Sequence, residues 1–307
     1  MKTAEFRDKL KPAWPALDVH VHPLDCFGLR AISSPAEDAD LIIESARRSG
    51  VEKMCLFSLH TTCPREPTVA QLIESNDYAL AMRDHAPDVF LPFCYVNPMF
   101  PDESVAEIDR CVDGAKMCGI KLWVARRATN IGLNPILEKA VECDVPVLQH
   151  AWIKTTGNLV GESFPSDVAD LARRHPDAKI IMAHMNGCGL RGIEDVAHCP
   201  NIYMDTSGGD PDSGITETAV ATLGPNRVVY GSDAPIRHFG VQLGKTLGTT
   251  LPDDVKRDAA ERLFKAAKAF LEPVLATSSL ALSLEMRDID PDLSPKTGTI
   301  RDHLGTV

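Results

Sequence analysis

Short runs of apolar, β-branched and aromatic residues alternate with longer amphipathic stretches along most of the chain. The runs fall near residues 16–22, 52–59, 89–97, 116–123, 145–151, 179–185, 201–206 and 227–233. Each has the length and make-up of a buried strand. The stretches between them read as helices. Glu37–Arg48 places Ala39, Leu41, Ile42 and Ala46 among charged residues, and Gly50 follows as a C-terminal stop. Thr68–His85, Glu103–Val112, Pro135–Cys143 and Asp167–His175 repeat the pattern. Leu190–Ala197 is short and begins after a Gly-rich turn, Ser213–Leu223 is weaker, and Asp253–Leu271 is the longest.

Eight strand–helix alternations predict an α/β fold, a (β/α)8 TIM barrel over residues 1–271. A doubly wound open sheet is the competing architecture. It usually carries a glycine-rich phosphate loop, and neither G-x-G-x-x-G nor G-x-x-x-x-G-K-[ST] occurs here. Residues 272–307 lose the periodicity and are rich in Ser, Thr, Asp and Pro. They read as a C-terminal extension, either a surface tail or an arm packed on another subunit of a homo-oligomer.

Metal-competent residues recur at the ends of the runs. Asp18, His20 and His22 alternate with Leu17, Val19 and Val21, so the three polar side chains share one strand face. His150 ends Val-Pro-Val-Leu-Gln-His, His184 ends Lys-Ile-Ile-Met-Ala-His, and Asp233 ends Arg-Val-Val-Tyr-Gly-Ser-Asp. A lone histidine at a strand end is usually structural. Four strands each delivering a ligand-type residue at the same end are better explained by a metal centre at the barrel mouth. His20, His22 and a third imidazole with Asp233 form a plausible donor set. Asp18, one pleat deeper, either orients an imidazole from behind or caps the barrel floor.

Composition narrows the partners. A net charge of −11 argues against nucleic acid. No apolar run approaches the ~18 residues of a membrane span, and the N-terminus lacks a signal-peptide core. The nine cysteines include no Cys-x-x-Cys pair, which suits a reducing cytoplasm better than a disulfide framework.

The segments Asp-Val-His-Val-His-Pro (18–23), Gly-Ile-Lys-Leu (119–122), Met-Ala-His (182–184) and Tyr-Gly-Ser-Asp-Ala-Pro (230–235), with His150, resemble the amidohydrolase superfamily. Within it they resemble the branch related to aminocarboxymuconate-semialdehyde decarboxylase. The resemblance covers roughly residues 16–271. It implies His20, His22, His150 and Asp233 as ligands of a divalent metal, Zn²⁺ or alternatively Mn²⁺ or Fe²⁺. His184 is then a further ligand or the group that polarises substrate. In two-metal members a carboxylated lysine on the fourth strand bridges the ions. Lys121 sits on that strand, and the expectation is one metal with Lys121 uncarboxylated and contacting substrate.

His60, Arg126, Arg127, Trp152, Lys154, Asn186, Arg191, Arg237 and His238 follow strand ends and are candidates for a locally positive rim. Trp152, Arg237 and His238 join Lys121 as substrate-binding candidates for a small anionic substrate. The first expectation for the reaction is hydrolysis of an amide, ester or lactone by a metal-activated water, with Asp233 moving the proton and His184 polarising the carbonyl. The alternative is non-oxidative decarboxylation of an aromatic or unsaturated acid. Decarboxylases of the branch often carry glutamate where this chain has Asp18, which tilts the sequence reading toward hydrolysis. A barrel that binds metal without catalysis is the alternative from another class.

Overall fold

The computed structural model describes residues 16–28, 30–209 and 212–250. Among them strands and helices alternate throughout. They are β1 (Ala16–Val21), α1 (Pro35–Arg48), β2 (Val51–Leu56), α2 (Val69–His85), β3 (Phe90–Tyr95), α3 (Pro101–Ile108), β4 (Gly119–Leu122) and α4 (Asn134–Glu142). The second half contributes β5 (Val147–Gln149), α5 (Pro165–Arg174), β6 (Ile180–Met182), α6 (Met185–Val196), β7 (Ile202–Asp205), α7 (Ile215–Leu223), β8 (Val228–Val229) and α8 (Phe239–Leu247).

The strands pair in chain order, all parallel, from β1 to β8. The sheet closes through single bonds beyond the short β8 ladder. Val19 N–H donates to Tyr230 O at 2.9 Å, Asp233 N–H to His20 O at 2.8 Å, and His22 N–H to Ala234 O at 2.7 Å. The architecture is a (β/α)8 barrel. Leu17, Val19 and Val21 join Ala39, Ile42 and Ala46 of α1 in one continuous apolar layer. The alternate residues Asp18 and His20 of β1, and His22 just beyond it, are buried as well.

Local signals set the element ends. Ser34 caps α1 by accepting from Glu37 N–H at 3.2 Å, with Pro35 at the first position. Thr68 and Gln71 form a reciprocal capping box on α2. Three elements depart from the sequence reading. The amphipathic run through Val112 is helical only to Ile108, then widens into a π-helical turn over Asp109–Gly114. The helix expected from Leu190 starts at Met185 and is interrupted at Gly189, whose φ is 62°. α8 was not expected at all. Its glycines at 240 and 244 weaken the helical signal, while Phe239 and Leu243 hold it on the core. The predicted helix Asp253–Leu271 and the extension 272–307 lie outside the described residues. No helix among the described residues is long and apolar enough to cross a membrane.

Candidate metal centre and active site

The C-terminal ends of β1, β6 and β8 bring His20, His184 and Asp233 together, with ligand atoms all within 4.8 Å of one another. His22 Nε2 lies 3.2 Å from His20 Nε2 and 3.5 Å from an Asp233 oxygen. His150 stands next to His184, its Nδ1 3.1 Å from His184 Nε2. All five expected residues therefore converge. The compact triad contains His184, which the resemblance gave as a further ligand or a polarising group, and His150, which it gave as a ligand, stands beside it.

Two of these positions need unusual backbone. His184 and Asp233 have φ of 73° and 62°, the left-handed region that side chains with a Cβ rarely adopt. His184 comes two residues after β6 and Asp233 four after β8, where the chain turns off the barrel rim. Such strain costs on the order of 1 kcal/mol per residue and persists where surrounding contacts impose it.

Each imidazole is held from behind by its second nitrogen. His20 Nδ1 is 2.7 Å from Asp205 Oδ2, and His22 Nδ1 is 2.9 Å from Phe57 O. His184 Nδ1 is 2.9 Å from Ser207 Oγ, and His150 Nε2 is 2.8 Å from Glu162 Oε1. With these nitrogens engaged, the remaining four, Nε2 of His20, His22 and His184 and Nδ1 of His150, converge on the site. A convergent set of imidazole nitrogens beside one carboxylate suits a divalent metal.

The electrostatics agree. Burial lowers the pKa of all four histidines; for His20 the nearby Lys121 adds to this, and for His184 the neighbouring His150 and His20 do. Neutral imidazoles are the metal-binding form. Burial raises the Asp233 carboxyl, but the hydrogen bond from His22 and the nearness of His20 and Lys121 outweigh it, leaving its pKa below the usual value. Lys121 is pushed down to about 8 by burial, its Nζ 3.4 Å from His20 Nε2 and 4.9 Å from the Phe57 ring centroid.

Asp18 does not orient an imidazole. Its Oδ1 accepts from the backbone N–H groups of His20 and Ser232, each at 2.9 Å, and burial pushes its pKa up to about 7. Asp205 holds His20 instead, and its other oxygen accepts from the backbone N–H groups of His184 at 2.8 Å and Ser207 at 3.0 Å. The sequence reading missed Asp205, although it too ends a strand, β7.

A cavity of about 200 Å³ opens over the cluster. Its walls include Phe27, Leu59, Trp123, Trp152 and Ile236, and its cations are Lys121, Lys154 and Arg237. Trp152 stacks on His150 at 6.2 Å and lies 4.9 Å from His184. Arg237 Nε donates to Gly208 O at 3.1 Å, and no carboxylate pairs with Arg237 among the described residues. Several rim candidates are engaged elsewhere. His238 does not line the cavity: its Nδ1 accepts from Gly240 N–H at 3.1 Å and caps α8. Arg127 pairs with Asp167, Arg126 with Glu66 and His60 with Glu74.

The amidohydrolase family model matches residues 18–266. The chain belongs to the amidohydrolase family. A model of 5-carboxymethyl-2-hydroxymuconate isomerase also matches residues 237–304, a stretch mostly beyond the described residues. No curated protein matches the chain. Solved structures similar to this amidohydrolase include a 2,6-dihydroxybenzoate decarboxylase from Rhizobium, 15% identical, with a TM-score of 0.65 over 85% of this chain and 99% of that one. A dihydroxybenzoic acid decarboxylase from Polaromonas, solved with bound manganese, is 15% identical, with a TM-score of 0.63 over 87% and 99%. A 4-oxalomesaconate hydratase from Rhodopseudomonas palustris is 16% identical, with a TM-score of 0.59 over 87% and 98%. At these identities the likeness is one of fold.

Proposed function

We propose that this amidohydrolase is a metal-dependent lyase that removes CO₂ from a small planar aromatic or unsaturated carboxylic acid. The cavity carries the reading. Its aromatic and aliphatic walls suit a flat apolar body, while the donor cluster, Lys121 and Arg237 offer charge for one anionic end. A carboxylate drawn into such a pocket loses its hydration, whereas cleavage of its C–C bond disperses the charge. Hydrolysis, favoured by the sequence reading because of Asp18, draws less support. Asp18 gives one oxygen to backbone N–H groups and bonds to no imidazole, so an aspartate at this position no longer argues for an activated water. Folds similar to this one include decarboxylases and a hydratase, one of them solved with bound manganese.

His20, His22 and Asp233, with His184 and His150, are the residues to hold a divalent metal, which when bound supplies a Lewis acid for the substrate's oxygen atoms. Zinc and manganese both suit imidazole and carboxylate donors. Arg237 and Lys121 pair with the substrate anion, and Trp152 packs against its face. Asp233, ionised at rest, takes up a proton and delivers it to the carbon bearing the carboxylate, with His184 alongside. The C–C bond then breaks, its electron pair stays on the substrate skeleton, CO₂ leaves, and Asp233 is left ionised, ready to take its next proton from solvent.

The test is a panel of hydroxybenzoates and unsaturated acids beside lactones and amides, assayed on metal-loaded protein for CO₂ and for hydrolysis. Stoichiometric CO₂ from one class of planar acid is expected. Hydrolysis without CO₂ would reverse the reading, and bound metal with no turnover would favour a non-catalytic barrel.

A further inference from the structure

We infer that Glu162, on the loop between β5 and α5, is a positioning residue that presents His150 to the metal centre and locks the loop over the cavity. The inference rests on the metal-centre reading above and extends it to a residue with no strand-end signal. Glu162 is 1% exposed, and both its oxygens are engaged. Oε1 lies 2.8 Å from His150 Nε2 and 2.7 Å from Lys154 Nζ. Oε2 accepts from Lys154 Nζ at 2.8 Å and from Leu159 N–H at 3.0 Å. One carboxylate thus ties an imidazole of the site to two points on the loop that walls it.

The carboxylate is itself held on both sides. A Cβ on Gly161 would sit 2.0 Å from Val124 O and 2.8 Å from Ala125 O, so only glycine lets the loop lie this close to the chain after β4. Ser163 follows, bridged to Ala151, with its Oγ accepting from Ala128 N–H at 2.9 Å and its carbonyl from Trp152 N–H at 3.0 Å. With its neighbours fixed, Glu162 holds the His150 ring so that Nδ1 faces His184. A carboxylate accepting from one imidazole nitrogen selects the tautomer whose other nitrogen is free to bind metal. A glutamine there can present its amide NH₂ instead, and would favour the wrong tautomer. Lys154 is meanwhile neutralised by Glu162, which leaves Lys121 and Arg237 as the cavity's cations for substrate.

The experiment reads metal affinity and the visible spectrum of bound Co²⁺ in the wild type, Glu162→Gln, Glu162→Asp and the double variant His20→Ala/His22→Ala, with folding checked by circular dichroism. The wild type is expected to bind one equivalent and the double variant none. Glu162→Gln should lose about 10–100-fold in affinity and shift the Co²⁺ bands, the range seen when the partner of a metal-bound histidine is removed. Glu162→Asp, which keeps the carboxylate, should recover part of both. If wild type and double variant bind metal alike, the metal-centre reading falls. If only the double variant loses metal, while Glu162→Gln keeps wild-type affinity and spectrum, the centre stands and the role of Glu162 falls. Should Glu162→Gln not fold, Glu162→Asp decides: unchanged bands and affinity with a shortened carboxylate overturn the proposal.

Discussion

At the scale of single residues, Arg237 offers the sharpest test of the substrate's charge. It borders the cavity, bonds only to carbonyl oxygens in what is described, and has no carboxylate partner there. Arg237→Ala should lower kcat/KM by about 10–100-fold for a carboxylate substrate, the cost of a charge-assisted hydrogen bond, and much less for a neutral analogue. Equal losses on both would make Arg237 a structural residue. The neighbouring His238 shows where residue reading runs out. Position in sequence put it beside Arg237, but a free helix N-terminus claimed its ring. Metal-type residues at strand ends were legible because the barrel fixes their direction. Glu162, Asp205 and Ser207 were not, because each acts through an imidazole 12, 185 and 23 positions away, and no periodicity in the sequence marks those pairings.

At the scale of elements, hydrophobic pattern located all eight strands, while their observed ladders are shorter, above all β8. The chain there leaves regular pairing after Val229 and bonds to β1 residue by residue. α8 was illegible because propensity and packing disagree within it, and packing wins. Two glycines test that account in opposite directions. A Cβ on Gly244, inside α8, would meet nothing within 4 Å, so Gly244→Ala should stabilise the protein by about 1 kcal/mol through helix propensity. A Cβ on Gly119, in β4, would lie 2.5 Å from the Phe93 ring, so Gly119→Ala should destabilise by about 1–3 kcal/mol through overpacking. Urea titrations of both variants read the signs. Destabilisation by Gly244→Ala would mean that α8 is not a regular helix.

At the scale of the whole molecule, the donor cluster makes stability depend on pH. His20, His22, His150 and His184 all have pKa values lowered from 6.5, so the fold keeps them neutral where the unfolded chain becomes charged. Below that value the unfolded state binds more protons, and stability falls as pH falls. Asp18, raised to about 7, and Asp205, also raised, bind their protons first in the folded state and return part of the loss. Four histidines outweigh two carboxyls. Metal-free protein should therefore lose about 2 kcal/mol per pH unit below about pH 6.5, read by denaturant titration. A flat or rising profile would sink the picture of a neutral, buried cluster.

The seam between β1 and β8 also sets an order of events in time. Asp18 and Ser232, 214 positions apart, are bonded across it, and His20 and Asp233 stand beside that bond. The first two histidines are made with the first strand of the barrel, yet the aspartate that completes the set emerges only when nearly the whole described barrel has been made. Contacts of such long range slow the folding of a chain of this topology. A metal held by this donor set would therefore be retained by a finished ring and lost by a chain stalled short of its last strand.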